Sequence, residues 1–134
     1  MYKGGCRCGA VRFEISGPLR NVVYCHCSEC RKLHGTPFAS NAGVESRHFK
    51  FISGEDQLTG YNITPEIVKS FCKHCGSPIM GRNVKQPDTV RIRLGSIESE
   101  ITERPSAHIF ASSKASWDHI CDALPQYDGF EPGR

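Results

Sequence analysis

The sequence predicts a mainly β domain of short, bent antiparallel strands with little helix, organised around metal ions. Three observations predict it. Apolar residues alternate with polar ones in short runs rather than recurring every three or four residues. Thirteen glycines and eight prolines punctuate those runs. Seven of the eight cysteines fall in three tight groups, at 6–8, 25–30 and 72–75.

The elements follow in order. Ala10–Ile15 places Val11, Phe13 and Ile15 on one face with Arg12 and Glu14 on the other, and Gly17-Pro18 ends the strand. Val22–Cys25 enters the second cysteine group as a short strand. Phe49–Ile52, Asp56–Tyr61 and Ile67–Cys72 read as further strands, separated by the turn signals Ser53-Gly54 and Thr64-Pro65. Thr89–Gly95 is the clearest, with Val90, Ile92 and Leu94 opposite Arg91 and Arg93. His108–Phe110 follows Pro105 as a short strand. Only Glu29–His34 and Ser116–Leu124 could be helical. Six to eight short strands in 134 residues predict one domain spanning 1–134.

Composition narrows the function classes. Hydrophobic residues at 38% and charged residues at 23% exclude a disordered tail. No apolar run approaches the ~20 residues of a membrane helix, so no membrane partner is expected. The start, MYKGGCRCGA, has no apolar signal region, which predicts a cytoplasmic protein whose cysteines bind metal rather than each other. The formal charge of +3 would fall to zero with seven thiolates around two Zn²⁺ ions. That removes most of the case for a nucleic-acid partner. An exposed edge strand would permit a homodimer beside the monomer.

The cysteine spacing has a geometric reading. Residues i and i+2 of an extended segment point the same way, so Cys6 and Cys8 can reach one ion. Cys72 and Cys75 flank a turn that Gly76 can close. The two pairs together supply four thiolates, a closed tetrahedral structural zinc site. Cys25, Cys27 and Cys30 can surround a second ion and leave its fourth position open, the pattern of a reactive and more labile site. A fourth ligand from Cys121, His26, His34 or His74 would instead close a second structural site. Disulfides are a third reading, although a bond within C-x-C is strained. Cys121 is expected as a small buried residue in a helical turn.

Three segments carry a family resemblance: G-G-C-R-C-G-A-V-R-F at 4–13, C-H-C-S-E-C-R-K-L-H-G-T-P-F at 25–38, and F-C-K-H-C-G-S-P-I at 71–79. Together they resemble the glutathione-dependent formaldehyde-activating enzyme family, which also contains centromere protein V. Weaker matches at Gly54 to Tyr61, Gly95, Pro105-Ser106-Ala107-His108-Ile109 and Trp117 extend the resemblance over nearly the whole chain. It implies a β-tent fold of bent sheets, similar to small Rab-interacting zinc proteins. It implies a structural zinc on Cys6, Cys8, Cys72 and Cys75 and a labile zinc on Cys25, Cys27 and Cys30. It also implies a carbon–sulfur lyase that joins glutathione, as co-substrate, to formaldehyde.

Residue chemistry fills in the expected mechanism. A three-thiolate zinc favours a soft thiol, which it would deprotonate for attack on a small electrophile. Arg31 and Lys32 follow the last thiol and could offset its negative charge or hold a substrate carboxylate. His34, four residues after Cys30, is a candidate proton carrier. His26 alternates with Cys25 and Cys27 and therefore points away from the metal. Ser28 suits a hydrogen bond to sulfur or a cap on the following turn. Phe38, His108 and Trp117 read as packing or as cleft walls. The competing readings are the same architecture acting on another thiol or electrophile, a zinc-stapled binding module without chemistry, and a chromatin protein.

Overall fold

The computed structural model describes residues 1–134. It contains ten strands: β1 (Tyr2–Gly5), β2 (Arg12–Ile15), β3 (Arg20–Cys25), β4 (Ala39–Glu45), β5 (Phe49–Ser53), β6 (Leu58–Asn62), β7 (Ile67–Cys72), β8 (Pro78–Asn83), β9 (Thr89–Arg93) and β10 (Ala107–Ile109). One α-helix, α1 (Ser28–His34), is present. The mainly β reading holds, with more strands than the six to eight expected. The unexpected ones are β1, β4 and β8. Their sequences, YKGG, ASNAGVE and PIMGRN, carry small residues and no two-residue alternation. Strand β4 is almost continuously buried, so neither face needed to be polar.

The helix expected over Ser116–Leu124 does not form. After a turn at 116–117 this stretch has no helical structure. The Lys114 ammonium donates to the carbonyls of Ala115, at 3.2 Å, and Asp118, at 2.7 Å. The Asp122 side chain accepts from the Leu124 amide at 3.0 Å. Side chains thus take backbone groups that a helix would have paired.

Backbone contacts divide the chain into two compact units, residues 1–20 with 42–102 and residues 21–41 with 103–134. In the first, β1, β2 and β5 form an antiparallel sheet in that order. Phe13 is buried on β2, 5.2 Å from the Phe49 ring. The remaining strands lie in the order β4-β9-β8-β7-β6, and β6 to β9 pair antiparallel. Val44, Ile79, Met80, Val90 and Ile92 are buried on these strands. Gly54 adopts φ +78°, and a Cβ there would lie 1.8 Å from the Ala10 carbonyl oxygen. Only glycine permits that approach.

In the second unit the order is β10-β3-β4. Strand β10 runs parallel to β3, with His108 opposite Tyr24 and Ile109 opposite Cys25. The sheets are therefore mixed rather than purely antiparallel. The other edge of β10 is covered by residues 125–129. The His108 amide donates to Pro125 O and the Tyr127 amide to His108 O, each at 2.9 Å. The core is small: Val23, Ala39, Ala107 and Ile109 pack around the buried thiols Cys25 and Cys30. Phe110 follows β10 at φ +52°, a conformation that costs a bulky residue on the order of 1–3 kcal/mol. Its ring rests on Phe130, 5.0 Å away. No helix is long and apolar enough to cross a membrane.

Candidate metal centres and the residues around them

The first unit gathers Cys6, Cys8, Cys72 and Cys75, with ligand atoms all within 4.8 Å of one another. Cys6 and Cys8 lie in the turn after β1, where the Gly9 amide donates to Cys6 O at 3.2 Å. Cys72 ends β7, and the Gly76 amide donates back to Cys72 O at 2.8 Å, with Gly76 at φ +77°. The sulfur–sulfur separations are 3.6 Å for Cys6–Cys8 and 3.8 Å for Cys8–Cys72. A tetrahedron with zinc–sulfur bonds of ~2.3 Å has edges of about 3.8 Å, so this donor set fits a closed zinc site. Hydrogen bonds already support the sulfurs. The Val11 amide donates to Cys6 Sγ at 3.2 Å, and Cys75 Sγ lies 3.2 Å from Ser77 Oγ. The Ser77 hydroxyl, then its backbone amide, lowers the Cys75 thiol pKa to about 5.

The second unit gathers Cys25, Cys27 and Cys30. Cys25 ends β3, Cys27 caps α1, and Cys30 sits in the first turn of that helix. The cap is a correction to the expectation for Ser28. Ser28 is exposed, and the Cys27 sulfur accepts from the Cys30 amide at 3.3 Å. Cys30 Sγ lies 3.4 Å from Cys25 Sγ. Cys25 and then Cys30, helped by backbone amides, bring the Cys27 thiol down to about 2, while Cys27 pushes Cys25 up. Cys30 is pushed far up, first by Cys25 and then by Cys27. One thiolate is thus stabilised at the expense of the other two protons. A cation is what would let all three ionise, and three soft donors suit zinc with one position uncommitted. No histidine, carboxylate or fourth thiol joins the group.

The remaining candidates are placed as follows. Arg31 is half-buried and donates from Nη2 to the Ser113 carbonyl at 3.1 Å. Lys32 is exposed. His34 is half-buried at the last turn of α1 and lies outside the thiol group. Cys121 is exposed outside any helix, contrary to the expected buried turn, because the helix around it does not form. His74 pairs with Gln57. Trp117 is exposed. A cavity of about 350 Å³ in the first unit is lined by Ser46, Arg82, Asn83, Val84, Pro87 and Thr89, none of them a thiol.

His26 does point away from the sulfurs, as the alternation predicts, but what it meets was not legible. The ring is fully buried, and its Nε2 lies 2.7 Å from His108 Nδ1. The other His108 nitrogen, Nε2, lies 2.9 and 3.0 Å from the two Asp122 oxygens. Phe38 packs 5.0 Å from His26 and 4.4 Å from Tyr24. Burial, and secondarily the neighbouring His108, lowers the His26 pKa; Asp118 opposes this, and Lys114 and Arg31 add to it. His26 Nδ1, Arg31 Nε and Asp118 Oδ2 are buried without hydrogen-bond partners.

Known proteins are similar to this chain. The family model described as glutathione-dependent formaldehyde-activating enzyme matches residues 1–113. A protein of Halomonas elongata, provisionally named a glutathione-dependent formaldehyde-activating enzyme, is 27% identical over 128 residues, which cover 90% of this chain and 81% of that protein. A crystal structure of a Rhodobacter sphaeroides protein superposes with a TM-score of 0.62 at 24% identity, covering 75% of this chain and 91% of the other. At that identity the likeness speaks for the fold.

Proposed function

Because the chain belongs to the glutathione-dependent formaldehyde-activating enzyme family, we propose that it adds a glutathione-type thiol to formaldehyde or a similar small electrophile at the Cys25–Cys27–Cys30 site. The membership gives a glutathione-related, formaldehyde-activating function; the three-thiol geometry supports the finer reading. The observation that carries it is a group of three sulfurs, Cys25 and Cys30 buried and Cys27 half-buried, with no fourth ligand. A zinc ion held by Cys25, Cys27 and Cys30 would supply Lewis acidity toward a soft thiol. We read Cys6, Cys8, Cys72 and Cys75 as holding a closed structural zinc.

In the addition a carbon–sulfur bond forms. The carbonyl π pair moves onto oxygen, which takes up the proton the thiol has lost. The product is an S-hydroxymethyl thioether alcohol, and the reverse cleavage is a carbon–sulfur lyase reaction. The chain's own residues hold and shield this site. The Cys30 amide donates to the Cys27 sulfur and keeps charge on it. Arg31, anchored to Ser113, contributes the nearest positive charge in sequence and opposes the negative charge that a substrate thiolate brings. Val23, Ala39 and Ile109 keep the buried sulfurs dry, which strengthens these interactions.

The test is metal content by elemental analysis, with and without glutathione, on protein purified without chelator, followed by adduct formation read by NMR. Two zinc ions per chain and catalysed appearance of the hydroxymethyl adduct are expected. One tightly held zinc with no effect of glutathione and no catalysis would overturn the proposal in favour of a stapled scaffold.

A further inference from the structure

We propose that Asp122 and His108 are positioning residues that fix His26 as a buried hydrogen-bond acceptor at Nδ1, and that this nitrogen takes its hydrogen bond from a small O–H donor held inside the second unit. Asp122 is 44% exposed and, as a carboxylate, only accepts. Both of its oxygens face His108 Nε2, so that nitrogen carries a proton. His108 is itself 2% exposed, and a ring that carries its single proton on Nε2 leaves Nδ1 as the acceptor. Its Nδ1 is then bare. The 2.7 Å contact requires a proton on one of the two facing nitrogens, and that proton belongs to His26 Nε2. His26 Nδ1 is consequently a lone pair, fully buried, with no partner among the protein atoms.

A buried acceptor without a donor costs roughly 1–3 kcal/mol, so such atoms are filled by an ordered polar guest. Two more polar atoms of the same unit are buried without partners, the acceptor Asp118 Oδ2 and the donor Arg31 Nε. The lone pair at His26 Nδ1 is met by the O–H of a water molecule or of an alcohol. A carboxylate offers it no donor, and an ammonium buried there carries a desolvation cost. The chemistry shared by the candidate guests is the O–H group, from an internal water or from the hydroxyl of an S-hydroxymethyl adduct. The relay also extends beyond the family pattern. His26 and His108 fall within the residues matched by the family model, whereas Asp122 lies after them. The inference goes beyond the thiol–formaldehyde reading and stands without it.

The test is ¹⁵N NMR of the histidine rings in the metal-loaded protein. Expected are pyridine-type Nδ1 and pyrrole-type Nε2 on both His26 and His108, with His26 Nδ1 displaced from the free-nitrogen shift by a hydrogen bond. In Asp122→Ala both rings should become tautomer mixtures, and Asp122→Glu should restore the single pattern. A merely structural carboxylate would not produce that rescue. A protonated Nδ1 on His26, a free-nitrogen shift at that atom, or an Asp122→Ala pattern identical to the parent would each overturn the proposal. The parent spectrum decides even if the alanine variant fails to fold. Adding formaldehyde with glutathione separates the sources. A moving His26 Nδ1 signal identifies the adduct hydroxyl, and an unmoved one identifies water. Loss of the proposed catalysis with the tautomer pattern intact would remove the functional reading and leave this one.

Discussion

Cys8 and Cys75 are both exposed, so replacing them by serine removes two of the four proposed zinc ligands while disturbing little packing. The double substitution Cys8→Ser/Cys75→Ser leaves only Cys6 and Cys72, too few to hold an ion. What is lost is a cross-link across 64 positions of sequence. Treated like any loop-closing bond, that cross-link lowers the entropy of the unfolded chain enough to stabilise the fold by about 4 kcal/mol. Unfolding 134 residues releases roughly 0.28 kcal/mol per kelvin, so the midpoint should fall by about 15 °C. The same arithmetic for the five-position separation of Cys25 and Cys30 gives only about 2 kcal/mol. The four-thiol site is therefore the principal tie. Thermal unfolding by circular dichroism, with zinc counted by elemental analysis, checks this. If zinc is lost from that site and the midpoint moves by less than about 5 °C, the cross-link argument is wrong.

Three further outcomes are expected. Gly54→Ala, which meets the Ala10 carbonyl and a φ of +78°, should cost at least about 2 kcal/mol in urea unfolding; a neutral result would mean that the β5–β6 turn shifts freely. Arg31→Ala should raise the thiol KM about fivefold with kcat unchanged, as expected for a lost charge contact of ~1 kcal/mol, and an unchanged KM would discard its role. Asp122 has its pKa lowered chiefly by His108, so it stabilises the fold above the ordinary aspartate value of 3.8 and loses that contribution as pH falls below it. Acid titration of Asp122→Asn should therefore show a shallower loss of stability below that pH than the parent does.

The legible parts of the molecule were those governed by local chemistry. Ile67–Cys72, set off by the turn signal Thr64-Pro65, reads as a strand and forms β7 with those bounds. The thiol spacings sorted the seven clustered cysteines into the two groups that the fold assembles. What stayed hidden was long-range or small. Strand β4 is buried without alternation, and β1 is half glycine. The partner of His26 lies 82 positions away on a parallel strand, a pairing that periodicity cannot report. Asp122 was invisible for another reason: Ser116–Leu124 resembles a helix until Lys114 claims the carbonyls of Ala115, just before it, and Asp118, within it. His26 pointing away from the sulfurs was correct, yet the same parity that predicted it gave no reason to look for a histidine pair behind the site.

Helix α1 is seven residues long, well short of what holds in isolation. Its start is capped by the Cys27 sulfur and its end by Gly35 at φ +63°, whose amide donates to Arg31 O. The cap atom and the proposed ligand atom are one sulfur. Opening of the helix and release of an ion are thus the same local unfolding event, and neither can occur at low free energy while the other is resisted. Amide exchange at Cys30, bonded to that sulfur, would follow occupancy directly, so a single backbone proton serves as the gauge of whether the site is loaded.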